Sequence, residues 1–124
     1  MKQFITFDQL MELTEEQRDR LRDWWEPTEG DMCVDQHGTV INYCEDCFYK
    51  GYDYFLTLGF NPLLSIGQCI EFLASKKSLF TGIDFKEESG FWDVYTTQLG
   101  IMVASGDELI DALWHCVKEV LRDE

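Results

Sequence analysis

The sequence predicts a small α+β fold, with short antiparallel strands packed against an N-terminal, a central and a C-terminal helix. Two observations carry this. Apolar residues recur at helical spacing in three separate stretches, and the runs between them alternate as strands do. The 124 residues, 45% hydrophobic and 15% aromatic, suit one domain with a real core. The expected organisation is therefore a single domain over residues 1–124. It divides into an N-terminal helix with an aromatic-rich hairpin (1–60) and a helix–strand–strand–helix unit (61–124).

The first helix is signalled by Thr14-Glu-Glu-Gln17, which has the form of a capping box. Leu10, Leu13, Leu21 and one of Trp24 and Trp25 supply its apolar stripe, and Pro27 stops it. Adjacent tryptophans on a helix point about 100° apart, so two readings stand: both pack at the helix–hairpin junction, or one is exposed, with Trp25 the candidate contact for a partner. Next come two short strands, "MCVD" and "TVINY", turned at His37-Gly38. The aromatic run to Leu58 continues as strand or irregular packing, and Gly59-Phe-Asn-Pro62 reads as a turn and internal boundary. A second helix is expected from Ser65, with Ile66, Cys69, Ile70 and Leu73 on its buried side and Lys76-Lys77 at its end. Phe91–Thr96 reads as a strand. Ser105-Gly-Asp-Glu then opens a last helix, with Leu109, Leu113, Cys116, Val117 and Val120 buried.

Charge is the unusual feature. Twenty-four acids against ten basic residues give a formal net charge of −14. Such a field repels nucleic acid and anionic membrane and attracts basic partners. The excess is heaviest at the two ends. Residues 1–35 carry ten acids against Lys2, Arg18, Arg20 and Arg22, and residues 91–124 carry seven against Lys118 and Arg122. On the first helix Glu15, Asp19 and Asp23 recur every four residues, each step rising about 6 Å, close to the phosphate spacing of a nucleic-acid strand. Arg18, Arg20 and Arg22 interleave with them, so a solvated, partly salt-bridged face is an equal reading.

Catalytic signatures are absent from the sequence. Only His37 and His115 could serve as a histidine base, and neither accompanies a nucleophile turn. Phosphate-binding glycine loops are also missing. His115, one helical turn from Asp111 and Glu119, fits a surface charge cluster. Three readings stay open for the Cys-x-x-Cys of "YCEDCFYKGYDYF". Glu45 and Asp46 between the thiols disfavour a redox pair, because negative charge raises a thiol's pKa. Zinc would draw on Cys33, His37, Cys44 and Cys47. The third reading is plain packing, Cys44 and Cys47 against Tyr43, Phe48 and Tyr52. Five cysteines suit a reducing compartment. The early acidic residues and the lack of a long apolar run make a cytoplasmic protein the expectation.

From residue 61 the order "NPLLSIGQCIEFL", "FWDVY", "DELIDALWHCVKEVL" resembles small phage and prophage proteins of Firmicutes described as carrying an α-β-α sandwich domain. The resemblance covers residues 61–121. The opening "LTEEQRDRLRDWWEPTEGD" is similar to the start of many such phage proteins. This resemblance implies a mobile-element origin and no enzymatic activity. Some small acidic phage proteins are DNA mimics that inhibit host defences, including RNA-guided nucleases (anti-CRISPR proteins). The implied partner is a basic nucleic-acid-binding host protein, met by Glu15, Asp19, Asp23, Glu26 and Trp25. The alternative is a non-inhibitory accessory or regulatory interaction protein, zinc-stabilised or not.

Overall fold

The computed structural model describes residues 1–44, 59–76, 80–96 and 102–122. It is an α+β structure of short antiparallel strands flanked by helices. The chain groups into two compact units, Thr6–Leu64 and Met1–Ile5 with Ser65–Glu124.

In the Thr6–Leu64 unit, α1 (Phe7–Leu10) and α2 (Glu15–Trp24) both start with reciprocal capping boxes. Thr14 Oγ1 accepts from the Gln17 amide at 3.1 Å, and Gln17 Oε1 accepts from the Thr14 amide at 2.8 Å. Thr6 and Gln9 repeat the pattern at the start of α1, at 3.1 and 2.9 Å. Each box satisfies two backbone N–H groups that a helix start otherwise leaves without partners. Leu10, Leu13 and Leu21 are all buried, but not as one helical stripe: Leu10 ends α1, Leu13 lies between the two helices, and only Leu21 is on α2.

The tryptophan pair departs from the helical wheel. The helix ends at Trp24, and Trp25 takes an extended backbone, ψ 125°, two residues before Pro27. Freed from helical spacing, Trp25 turns fully inward, 1% exposed, while Trp24 stays half-buried. The indole Nε1–H of Trp25 donates to Asp31 Oδ2 at 3.0 Å. The same carboxylate accepts from the Thr28 amide and hydroxyl, at 3.0 and 3.1 Å, closing the turn after the helix. Trp25 then packs with Cys33, Tyr43 and Phe60 as a buried cluster, edged by Trp24 and Ile41.

The hairpin forms where the sequence places it. β1 (Met32–Val34) pairs antiparallel with β2 (Val40–Asn42), Cys33 opposite Ile41. Asp35 Oδ1 accepts from the His37 and Thr39 amides at 2.8 and 2.9 Å, and Gly38 supplies the left-handed residue, φ 87°. A Cβ on Gly38 would sit 3.4 Å from the Phe7 ring, so α1 lies directly against this turn. One expectation is corrected here. Gly59 makes a turn, φ 74°, but Asn61–Pro62 is a strand, β3, on the other side of β1. The sheet order is β2-β1-β3. Pro62 has no N–H to donate, and an edge strand tolerates that. Residues 45–58, with Cys47, Phe48 and Tyr52, lie outside the described part.

In the second unit, Ser65 caps α3 (Ile66–Ser75) through a capping box with Gln68. Its buried side chains are Cys69, Phe72 and Leu73, whereas Ile66 and Ile70 are half-buried, so the stripe is rotated from the expected one. The Lys76 ammonium lies 5.2 Å from the centre of the Phe72 ring. The sheet has three strands, not two: β4 (Phe80–Lys86), β5 (Phe91–Thr96) and β6 (Met102–Gly106), with β5 in the middle. Gly90, φ 75°, closes the β4–β5 hairpin with its amide on the Lys86 carbonyl at 2.8 Å. The last helix, α4 (Leu109–Arg122), packs on α3 and on the sheet. It buries Ile110, Ala112, Trp114 and Leu121 beyond the five residues expected.

Residues 1–5 belong with this unit for a physical reason. Phe4 bridges to Ser65, the Ile66 amide donates to the Gln3 carbonyl at 3.0 Å, and the Lys2 ammonium pairs with Asp111 at 2.7 Å.

The Trp25–Asp31 arrangement yields a stability prediction. Asp31→Ala leaves the buried indole N–H without its acceptor, a loss of about 1–3 kcal/mol. Trp25→Ala, which empties a core site, costs about 3–5 kcal/mol. Urea unfolding followed by tryptophan fluorescence and circular dichroism measures both. Equal midpoints for Asp31→Ala and wild type would refute the role given to this carboxylate.

Candidate functional site

The acidic residues expected to contact a partner lie on α2 and just beyond it. Glu15, Asp19, Asp23 and Glu26 are all exposed. They do not form one uncompensated row. Asp19 Oδ1 is held by Arg22 Nη2 at 2.6 Å, and the neighbouring Glu16 by Arg20 at 3.0 Å. Glu15, Asp23 and Glu26 make no ion pair among the described residues. Arg18 turns away from the acids, its Nη1 donating to the Leu13 carbonyl at 2.7 Å. The fifth expected contact, Trp25, is a core residue. At 1% exposure it presents no surface to a partner, and the half-buried ring of the pair is Trp24.

Glu15 and Asp19 also line a cleft of about 260 Å³ within the same unit, which the sequence did not reveal. Phe7, Leu10 and Met11 give it an apolar wall, and Arg18, Arg22, Asp35, Gln36 and Asn61 complete the polar part. The Asp35 carboxyl is held below its ordinary value, chiefly because the Thr39 backbone amide donates to it, with His37 contributing. Asn61 joins the wall only because β3 pairs with β1, so no local pattern announces it.

The four residues offered for zinc are not assembled by what is described. Cys33 is fully buried in the Trp25 cluster, its Sγ–H 3.5 Å from the Ile41 carbonyl oxygen. Its thiol is pushed up to about 12, first by burial and then by the charge of Asp31. The requirement for a thiolate ligand is thus opposed on both counts. His37 is exposed in the hairpin turn, Cys44 is half-buried, and Cys47 lies outside the described residues. Among the described residues no three His, Cys, Asp or Glu side chains gather as a metal cage. Cys69 and Cys116 are buried on facing helices, and burial raises both thiols, that of Cys116 to about 12. His115 is exposed on α4, with Glu119 in an ion pair to Arg122 at 3.1 Å.

No family model, curated protein or solved structure matches the chain. The site's own chemistry therefore carries the functional argument. Among the described residues no helix is long and apolar enough to cross a membrane.

Two measurements test this description. The folded pKa of Asp35 lies below its unfolded value of about 3.9. Its ionised form therefore adds stability that is fully present above the unfolded value and is lost as pH falls through the lower folded one. Asp35→Asn should be less stable than wild type at neutral pH, and the gap should narrow as pH falls below the unfolded value and through the lower folded one. A gap independent of pH would refute the assignment. Secondly, Cys33, Cys69 and Cys116 should react with iodoacetamide near pH 8 at least about a hundredfold more slowly in the native chain than in urea, because the thiolate is the nucleophile. Peptide mapping by mass spectrometry reads each site.

Proposed function

We propose that this is a binding protein that works through its carboxylate surface, occupying a basic, nucleic-acid-binding surface of a host protein. The observation that carries the reading is the exposure of Glu15, Asp23 and Glu26 without ion pairs among the described residues, on a chain of net charge −14. Side chains so placed keep their charge available to a partner, and long-range attraction steers association. The specific instance is an inhibitor of a phage-facing defence system, with an RNA-guided nuclease as target, since its nucleic-acid channels are long and positive. The protein acts in this reading without catalysis, in the cytoplasm of the host cell.

A second reading has its own observation. Phe85 and Phe91 flank the β4–β5 hairpin at 44% and 42% exposure, and the Phe85 and Trp92 rings stand 4.9 Å apart. An accessory or regulatory interaction protein would use this aromatic tip in place of charge.

Binding to an immobilised nuclease–guide complex separates the two. Charge-driven binding should weaken steeply as salt rises, because exposed charges are screened beyond about 10 Å at 0.1 M. The triple substitution Glu15→Lys/Asp23→Lys/Glu26→Lys should lower affinity at low salt at least tenfold, and Phe85→Ser/Phe91→Ser should leave it unchanged. Binding that ignores salt and charge reversal but is lost with the phenylalanine variant would replace the first reading with the second. Absence of binding at low salt would remove the nuclease as target.

A further inference from the structure

The three-stranded sheet of the second unit has β4 at one edge. After a bulge between Phe80 and Gly82, β4 pairs with β5 in unbroken register from Ile83–Val94 to Lys86–Phe91. The hairpin fixes which way the backbone groups point. The Gly90 amide donates to the Lys86 carbonyl at 2.8 Å, so Lys86 turns its backbone toward β5. In an antiparallel strand the N–H and C=O of one residue point to the same side, and successive residues alternate. Asp84 therefore faces β5 with Lys86, while Ile83 and Phe85 turn their amides and carbonyls outward. Among the described residues these outward groups have no backbone partner.

The two faces of the strand differ. Ile83 stands opposite Val94 and Phe85 opposite Trp92, on the face where Val94 is buried. Phe85 is nevertheless 44% exposed, its ring 4.9 Å from that of Trp92. Asp84 and Lys86 lie on the other face, opposite Asp93 and Phe91, and pair with each other at 2.9 Å. An unpaired edge beside an exposed aromatic ring is a template for one more strand.

Charge decides which strand that is. A second copy of this chain would bring a net charge of −14 against −14. The hairpin gives no local relief, with Asp84, Glu87, Glu88 and Asp93 against Lys86. Asp84 and Asp93 also stand directly opposite each other, and like charges so placed weaken a sheet. A strand with basic side chains on the Asp84 face offsets that repulsion, and apolar side chains on its other face cover Phe85.

We propose that β4 is a docking edge for an extended basic segment of a partner protein. The segment adds antiparallel along Gly82–Lys86, with apolar side chains beside Ile83 and Phe85 and a basic side chain beside Asp84. This goes beyond the proposed function, because the acids of α2 take no part in it.

The probe is a capped hexapeptide of alternating valine and lysine, titrated into the full isotope-labelled chain and followed by NMR with amide hydrogen exchange. Valines beside Ile83 and Phe85 would put their own amides into the ladder, so the same peptide N-methylated at its valines is one control. A valine–glutamate peptide is the other. With the valine–lysine peptide alone, saturable binding should slow exchange at the Ile83 and Phe85 amides at least about tenfold. The Asp84 amide, already turned to β5, should change little. Phe85→Thr keeps a strand-forming residue and should weaken binding about fivefold, with the remaining spectrum unchanged as a check on folding. Equal binding of the N-methylated peptide would reduce the contact to side chains, equal binding of the glutamate peptide would remove the charge selection, and no saturable binding would leave the edge without this role. Protection of Ile83 and Phe85 that rises with the concentration of the chain alone would give the edge to a second copy. Each of these four outcomes overturns the proposal.

Discussion

The hydrogen bond from Trp25 to Asp31 is the constraint on which the Thr6–Leu64 unit is organised. Burying an indole gains apolar contact, but its N–H must find an acceptor or cancel part of that gain. Asp31 provides the acceptor and, through Thr28, holds the turn that carries the chain away from α2. Its backbone also joins the hairpin, since the Tyr43 amide donates to the Asp31 carbonyl at 2.7 Å. One residue thus links a helix end, a turn and a strand start. The position of α2, and of the acids along it, follows from that link.

The charge pattern makes sense against this fixed frame. Carboxylates spaced every four residues on a helix repel one another by a few tenths of a kcal/mol per pair. The interleaved arginines relieve that repulsion at Glu16 and Asp19, leaving Glu15, Asp23 and Glu26 as the charges without an ion partner among the described residues. Part of the charge on this helix is thus compensated internally, and part is left exposed to solvent. In the second unit more of the acid is spent on structure: Asp111 and Glu108 hold the Lys2 side chain and backbone amide, and Asp84 holds Lys86 at 2.9 Å.

Much of the fold was legible because it depends on local chemistry. A threonine three residues before a glutamine marked α2, the apolar stripe after Ser65 marked α3, and His37-Gly38 marked the hairpin. The same signal stands at Thr6 and Gln9 and would have revealed α1. What was not legible depends on tertiary pairing. The segment "FTGIDFK" mixes glycine and charge with its aromatics and becomes β4 only by lying along β5. Trp25 defeated the helical wheel because the helix stops one residue before it. The acids could be read as a surface, but the cleft could not. Asn61 reaches that cleft from a strand 46 residues beyond Glu15 in the chain.

Five residues at the start of the chain fold with its second half, and the intervening stretch leaves and re-enters that body between Ile5 and Ser65. Phe4 and Ser65 are bridge partners, so the departure and return points are neighbours. In topological terms Thr6–Leu64 is an insert in a host whose own connectivity closes without it. The host cannot complete itself on the ribosome until its last helix has emerged to receive Lys2, whereas the insert has all its contacts in hand much earlier. The acidic helix and its cleft thus belong to the inserted stretch, whose residues leave the ribosome before the last helix of the host does.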